Sequence, residues 1–205
     1  MNNTHRMTAL AAVAGIGAAA LWYSRTRGPV YNPHVPEPNK DVELDTYMGR
    51  WYEMARYENR FERGCDGVTA EYTLRHDGLI DIVNRSASDA QGKPRQSHGK
   101  ARVVQDSRNA KLEVSFFGPF YVGDYWVLDH AEDYQWSIVG EPSGRYLWIL
   151  TRMPDPDPEL RSMLVHRVAE LGYDPSQLRM TDQSVHAGHG NGHAGPAEPS
   201  PAMPG

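Results

Sequence analysis

The fold of this chain is restricted most by a series of short segments in which apolar and polar residues alternate, each followed by a turn-forming cluster. Alternation with a period of two is typical of half-buried β-strands. The clusters at 76–78, 106–109 and 141–144 are rich in residues that favour tight connections, such as Gly, Asp, Asn and Pro. The pattern predicts eight strands, at 51–57, 68–74, 79–84, 97–104, 111–116, 121–128, 133–140 and 146–152. Eight short, sequential strands predict an all-β fold, built as an up-and-down antiparallel barrel.

One helix is predicted after the last strand. Asp157 is a suitable N-cap, Pro158 suits the first helical position, and Gly172 suits the C-terminal cap. The apolar residues of the helix recur on one face, so we expect that face to pack on the outside of the barrel rather than to bind a partner. These residues are Leu160, Met163, Leu164, Val168 and Leu171.

The segment before the barrel contains a membrane-targeting signal. Residues 7–23 carry no charge and lie between Arg6 and Arg25. Because this run is near the lower length limit of a spanning helix, residues 1–27 are predicted to be either an uncleaved anchor or a cleaved signal. Four prolines make residues 28–40 a stiff spacer, which is expected to hold the following domain off the membrane.

The predicted barrel domain covers residues 41–182 and is followed by a tail of different composition. Residues 183–205 lack apolar periodicity and are predicted to be disordered. Histidine binds Zn, Cu and Ni, which directs attention to His186, His189 and His193. Because no Cys or acidic partner accompanies these residues, no specific metal site is predicted.

Composition excludes several classes of function. The net charge of −5 gives no basic footprint, so nucleic acid is not an expected partner. The chain has one cysteine, Cys65, which rules out an intramolecular disulfide. The sequence has no recognisable Ser-His-Asp order, phosphate-binding glycine loop or metal motif, and no cofactor is predicted.

Two distant stretches together resemble the signature of the lipocalin family. Gly49 and Trp51 open the first strand in GRWYEMARY, and Arg152 closes the last strand in YLWILTRMP. Between them, FERG, VSFFGPFY and GDYWVL resemble, in order, motifs of the bacterial lipocalins and apolipoprotein D. The resemblance covers about residues 41–181 and implies that Arg152 lies over the Trp51 ring and closes one end of the barrel. In this interpretation the pair stabilises the fold and does no chemistry.

An eight-stranded barrel is wide enough to hold one small ligand, and its inward side chains determine which ligand fits. Alternation places apolar or aromatic residues inside on the second and fifth predicted strands, so Tyr72, Val114 and Phe116 are candidate ligand contacts. On the sixth strand the resemblance favours Tyr125 and Val127. On the seventh strand the inward pair is either Ser137 and Val139 or Trp136 and Ile138, because a slip of one residue exchanges the two sets. The first register makes Val139 a further candidate contact.

Glu53 is the most informative polar residue of the first strand. It shares one face with Trp51, Ala55 and Tyr57, so an inward indole implies an inward carboxylate. An unpaired buried carboxylate is costly, and Glu53 therefore needs a partner, which could be a Tyr or Arg, water, or the cationic headgroup of a ligand. Three cations farther along are candidates for contact with a phosphate at the barrel mouth: Arg56, Arg60 and Arg63.

The apolar interior suits an acyl chain, and the targeting segment suits a protein of the cell envelope. The favoured hypothesis is a membrane-tethered, non-enzymatic lipocalin that stores or transports fatty acids or lysophospholipids at the bacterial envelope. By resemblance, it faces the periplasm, at the outer membrane if it is processed like its relatives, and some of those relatives form homodimers. Bacterial lipocalins commonly carry an acylated N-terminal cysteine, which this sequence lacks.

The alternative hypothesis is an enzyme that modifies a bound lipid or tetrapyrrole through Cys65. Catalysis by this thiol would require a lowered pKa and a base within reach, and no histidine is near it in sequence. Haem or tetrapyrrole binding would require an axial histidine inside the barrel. His76 and His130 fall in predicted connections, and His98 lies near a strand.

Overall fold

The structure of the chain, a computed structural model, describes residues 29–116 and 118–187. Its strands are β1 (Gly49–Tyr57), β2 (Thr69–Leu74), β3 (Ile80–Ser86), β4 (Arg95–Val103), β5 (Lys111–Ser115), β6 (Gly123–His130), β7 (Trp136–Gly140), β8 (Leu147–Thr151) and β9 (Leu178–Met180). Strands β2 to β8 pair in chain order, β1 follows β8 in the sheet, and pairing of β1 with β2 closes the barrel. The predicted up-and-down barrel of eight strands is confirmed.

The ninth strand was not predicted. β9 pairs with β1 at Ala55–Tyr57, whereas β2 pairs with β1 only as far as Tyr52. The second half of β1 would therefore expose unpaired backbone groups on the side that faces away from β8. β9 satisfies these groups, which explains why a segment with little strand pattern forms a strand here.

Short helices and one longer helix accompany the barrel in the described residues: α1 (Leu44–Tyr47), α2 (Pro158–Glu170) and α3 (Ser184–Ala187). α2 is the predicted outer helix. Its N-terminus is capped as expected, because the Asp157 side chain accepts a hydrogen bond of 2.8 Å from the Leu160 N–H.

Two apolar cores lie on the two faces of the sheet. The inner core contains both Val127 and Val139, so the seventh strand has the first of its two predicted registers. The outer core lies between the barrel and α2, where Leu164 and Val168 are fully buried. Met163 is 40 % exposed, so its predicted place on the packed face of the helix is wrong.

A β-bulge interrupts the alternation of β1. The register of β1 against β8 shifts between Glu53 and Ala55. As a result, Trp51 belongs to the inner core, whereas Ala55 and Tyr57 belong to the outer core. The prediction that these residues share one face with Glu53 is therefore wrong beyond the bulge, and Arg56 takes the inward position instead.

The two ends of the barrel are built differently. We call the end that carries α1 and the β2–β3, β4–β5 and β6–β7 connections the closed end. The opposite end, with the β1–β2, β3–β4, β5–β6 and β7–β8 connections, is the mouth. At the closed end the Arg152 guanidinium lies 3.7 Å from the centroid of the Trp51 ring. Gly49 adopts a φ of +88° beside this pair, a conformation that favours glycine.

The segment before the barrel does not extend away from it. At the mouth, the Tyr31 N–H donates a hydrogen bond of 3.0 Å to the Gly144 carbonyl in the β7–β8 connection. At the closed end, the Val42 N–H donates to the Arg108 carbonyl at 2.9 Å. The expected Pro-rich spacer therefore packs along the outside of the barrel over residues 31–40 and does not extend away from it.

The first residues of the expected disordered tail are also packed. Gln183 is buried and donates hydrogen bonds to the carbonyls of Glu53 and Val68, at 2.9 and 2.7 Å. Residues 1–28, with the predicted targeting segment, and residues 188–205, with two of the three tail histidines, lie outside the described residues. Within the described ranges, no helix is long and apolar enough to cross a membrane.

Candidate functional site

An internal cavity of about 120 Å³ occupies the mouth half of the barrel. Its walls combine apolar and aromatic side chains with several carboxylates. The lining residues are Glu53, Glu62, Val68, Thr69, Ala70, Tyr72, Ile82, Asn84, Val114, Phe116, Asp124, Tyr125, Trp148 and Leu150. The cavity is the candidate ligand site.

The candidate ligand contacts divide into two groups. Those that line the cavity are Glu53, Tyr72, Val114, Phe116 and Tyr125. Val127 and Val139 pair with each other across β6 and β7 and are buried in the inner core, outside the cavity wall. Any contact of these two valines with a ligand would require a deeper cavity than the present one.

Glu53 has its partners within the protein. Arg56 Nη1 donates a hydrogen bond of 2.6 Å to Glu53 Oε1, and the Thr181 hydroxyl donates to the same oxygen. Burial raises the pKa of the Glu53 carboxyl to about 7, and the charge of Glu62 adds to this effect, while Arg56 and Thr181 oppose it. The neighbouring arginine is thus the partner that the carboxylate requires.

Arg56 is the central group of this buried polar cluster. Its side chain is completely buried, and Nη2 contacts both the Glu62 carbonyl at 2.6 Å and the Glu58 carboxylate at 3.2 Å. Nη1 also reaches the Cys65 carbonyl at 3.2 Å. Because these groups occupy both terminal nitrogens of a fully buried guanidinium, Arg56 is not available to a phosphate at the mouth.

Sequence reasoning did not single out Glu62, which projects from the β1–β2 connection into the cavity. Its Oε2 accepts hydrogen bonds from Trp148 Nε1 at 2.8 Å and from Asn59 Nδ2 at 2.9 Å. The motif FERG contains this residue, but alternation cannot assign a direction to a side chain in a connection. The resemblance was therefore the only available signal for Glu62.

Two further polar groups on the cavity wall were also missed. Within the described residues, the buried Asn84 Oδ1 has no hydrogen-bond partner. Burial raises the pKa of Asp124, and the nearby charges of Glu141 and Glu113 raise it further. Both positions lie near strand ends at the mouth, where a ligand with an apolar chain in the barrel would present its polar headgroup.

The floor of the cavity is a network of hydroxyl groups. Tyr47 Oη lies 2.8 Å from Tyr125 Oη and 3.1 Å from Ser137 Oγ, and Tyr72 Oη lies 3.2 Å from Tyr125 Oη. Burial raises the pKa of Tyr47 to about 12 and raises that of Tyr125 well above its ordinary value. The network is neutral at physiological pH and separates the cavity from the closed end.

The geometry gives no support to catalysis by Cys65 or to axial haem ligation. Cys65 is buried at 3 % exposure and is not part of the cavity wall. His98 is exposed, and His130 lies at the closed end, stacked on Tyr134 with 4.6 Å between the ring centroids. In the described part of the chain, no three His, Cys, Asp or Glu residues are grouped as a metal site.

Comparison with known proteins agrees with the fold. Residues 42–183 match the family model described as a lipocalin-like domain. Outer membrane lipoprotein Blc of Vibrio cholerae serotype O1 is 40 % identical over 152 residues, which cover 74 % of this chain and 88 % of that protein. Apolipoprotein D of Mus musculus is 33 % identical over 183 residues, which cover 85 % and 93 % of the two chains. The solved structure of insecticyanin from the tobacco hornworm Manduca sexta aligns with a TM-score of 0.61 at 20 % identity, covering 76 % of this chain and 87 % of that one.

Proposed function

The chain belongs to the lipocalin family, and from this premise we propose that it binds one single-chain lipid in its barrel and stores or transports that lipid at the bacterial envelope. The observation that carries the proposal is the cavity, which has an apolar wall and polar groups toward the mouth. Each buried methylene of an acyl chain contributes about 0.8 kcal/mol, so an apolar wall favours such a chain. The polar groups would then meet the headgroup.

The charges on the cavity wall favour a lysophospholipid over a fatty acid. Glu62 and Asp124 line the cavity, and Arg56, the buried cation nearby, is already bound to Glu53. A fatty-acid carboxylate would lie close to like charges, which is unfavourable in a partly desolvated site. The ammonium group of a zwitterionic headgroup would instead find carboxylate partners, and its hydroxyl groups could donate to Asn84 Oδ1.

Lipid uptake requires the cavity to expand. Its volume of about 120 Å³ is smaller than the roughly 300–1,000 Å³ of ordinary ligand pockets. Phe116 is the side chain best placed to move: its ring lies over Gly99, where an added Cβ would approach the ring to 2.6 Å. Gly99 therefore provides the space that the ring occupies, and rotation of Phe116 toward the mouth would lengthen the cavity.

The proposed location follows from relatives and from the predicted targeting segment. Relatives at about 40 % identity are named outer membrane lipoproteins, which supports a place in the bacterial envelope. The single cysteine of this chain, Cys65, is buried within the barrel domain. Attachment to the membrane would therefore depend on residues 7–23 and not on an acylated cysteine.

The test is native mass spectrometry of the full chain, purified in mild detergent, with lipid analysis of an organic extract. We expect one lysophospholipid per barrel, or per dimer, and its uptake again after delipidation. Uptake of palmitate but not of lysophospholipid would contradict the headgroup argument. Uptake of neither would contradict the proposed function.

A matched pair of variants makes this test specific for the cavity. Ala70→Leu fills the cavity from β2 and should weaken lysophospholipid uptake at least severalfold. Thr73→Leu places the same side chain on the exposed face of the same strand and should leave uptake unchanged. Equal uptake by both variants would place the lipid elsewhere.

A further inference from the structure

The mouth carries exposed apolar side chains that belong to neither of the two apolar cores. Phe61, in the β1–β2 connection, is 47 % exposed. Phe120 and Val122, in the β5–β6 connection, are 70 % and 59 % exposed. Exposed apolar groups gathered on one surface mark an interaction site more often than scattered ones do. The three residues lie in two connections on opposite sides of the same barrel end, and we call them together the mouth patch.

The chain outside the structure joins the barrel at the same end. Val30 is 46 % exposed, and the adjoining Tyr31 is hydrogen bonded to the β7–β8 connection at the mouth. The uncharged run at 7–23 is separated from the first described residue by residues 24–28 alone. Five residues span less than about 20 Å even when fully extended. A barrel held by this run would therefore have its mouth, and not its closed end, beside the membrane.

The distribution of charge favours the same orientation. Exposed carboxylates are concentrated at the closed end: Asp41, Glu43, Asp45, Asp77, Asp106, Glu132, Asp133, Asp155 and Asp157. Among the described residues, the exposed cations at that end are Arg50, Arg75 and Arg108. At the mouth of the described barrel, the exposed cations Arg60, Arg63, Lys93 and Arg95 outnumber the exposed carboxylates Glu58, Asp124 and Asp174. An anionic lipid surface therefore repels the closed end more strongly than the mouth.

We propose that the mouth docks on the surface of a lipid bilayer, with the mouth patch in the interfacial region and the closed end directed away from it. Apolar side chains at such a position exchange water for the boundary between headgroups and acyl chains. The docking does not depend on the proposed function. Its consequence does: a lysophospholipid could pass between the bilayer and the cavity without crossing bulk water.

A bilayer fits the mouth patch better than a second copy of the chain does. A stable protein interface buries roughly 800 Å² on each partner, which exceeds what three side chains can cover. The preceding residues also join the barrel at this end, at the β7–β8 connection, where a membrane accommodates them and a second barrel would compete with them.

The test compares two fluorophore positions in the full chain with the background substitution Cys65→Ala. The label is attached at Val122→Cys, in the mouth, or at Asp77→Cys, at the closed end. Each protein is mixed with vesicles of phosphatidylethanolamine and phosphatidylglycerol that contain nitroxide-labelled lipid. We expect severalfold stronger quenching at position 122. Equal quenching, stronger quenching at position 77, or no association with the vesicles would overturn the proposal.

A second pair of substitutions tests the mouth patch itself. Phe120→Asp should reduce quenching of the mouth label, whereas Met153→Asp, at a closed-end residue that is 58 % exposed, should not. If Phe120→Asp instead dissociates a lipid-free dimer in sedimentation experiments and leaves quenching unchanged, the patch is a dimer interface and the proposal is wrong. If the protein takes up no lipid but its mouth label is still quenched, the proposed function is wrong and the docking proposal stands.

Discussion

The closed end and the mouth half of the barrel each hold an arginine, in opposite electrostatic surroundings. Arg152 donates hydrogen bonds to the carbonyls of Arg50 and Thr46, both at 2.8 Å, and lies over the Trp51 ring. Among the described residues, its hydrogen-bond acceptors are uncharged backbone carbonyls. Arg56, which is fully buried, binds the Glu53 carboxylate at 2.6 Å. A partly exposed guanidinium is thus held adequately by carbonyls and a ring, whereas a fully buried one needs a counter-charge.

This difference separates the closed end from the half of the barrel that holds the candidate site. The stability of the closed end depends on the positions of backbone carbonyls, which do not change their charge with pH. The stability of the mouth half depends on charge, because the buried Arg56 is paired with the Glu53 carboxylate, which also lines the cavity. Substitution of Arg56 and substitution of Arg152 should therefore reduce the stability of the protein by different amounts.

The largest effect is expected for Arg56→Met. This substitution leaves Glu53 buried without its cation and should destabilise the protein by about 3–5 kcal/mol in denaturant unfolding. The double variant Glu53→Leu with Arg56→Met removes both charges and should recover much of that loss. A single variant that loses less than about 1 kcal/mol would show that the pair is not essential.

Arg152→Met should have the next largest effect. It removes charge-assisted hydrogen bonds to carbonyls and the contact with Trp51, and a loss of about 2–3 kcal/mol is expected. Arg50→Met is the control, since Arg50 is 55 % exposed in its side chain and contacts Glu71 at 3.5 Å. The control should change stability by at most about 1 kcal/mol. Equal losses of stability in the two variants would contradict a specific stabilising role for Arg152.

Tyr125→Phe tests the hydroxyl network that separates the cavity from the closed end. It removes the hydroxyl that joins Tyr47 to Tyr72 and should cost about 1–2 kcal/mol, because two buried hydroxyls each lose a partner. Tyr121→Phe, on the outer side beside Arg102, is the matched control and should be close to neutral. Unfolding curves of the two variants would coincide if the network contributed nothing.

The smallest effect concerns pH near the closed end. Burial alone would raise the pKa of Asp129, but hydrogen bonds from Lys40 and Arg167 outweigh it and lower that pKa. The folded protein therefore binds this proton less readily than the unfolded chain, so the stability that Asp129 contributes is present above its unfolded pKa of about 3.9 and is lost as the pH falls further. Lys40→Met should flatten the acid limb of a plot of stability against pH. An unchanged acid limb would contradict the assignment.

Much of the fold could be predicted because the informative signals are local. Alternation located all eight barrel strands to within a few residues, and the Asp157 cap located the start of α2. Which face of β7 points into the barrel could not be predicted, because both of its faces are apolar and alternation cannot choose between them. The pairing of Val139 with Val127 resolved it.

The candidate site was only partly predictable. Tyr72, Val114 and Phe116 follow from alternation and do line the cavity. Glu62 does not follow, because it lies in a connection whose path depends on the groups that Arg56 and Asn59 offer it. The size of the cavity was also beyond the sequence, since packing of side chains in three dimensions sets how much space remains.

The sequence by itself determined the barrel, its outer helix and the spacing that brings Trp51 and Arg152 to one end, because residue alternation and capping act through backbone geometry within a few residues. Tertiary structure alone decided the bulge in β1, and with it the inward position of Arg56. It also decided that β9 and residues 31–40 pack on the barrel. These outcomes depend on which backbone groups distant segments leave unpaired, and that quantity exists only once the barrel has closed.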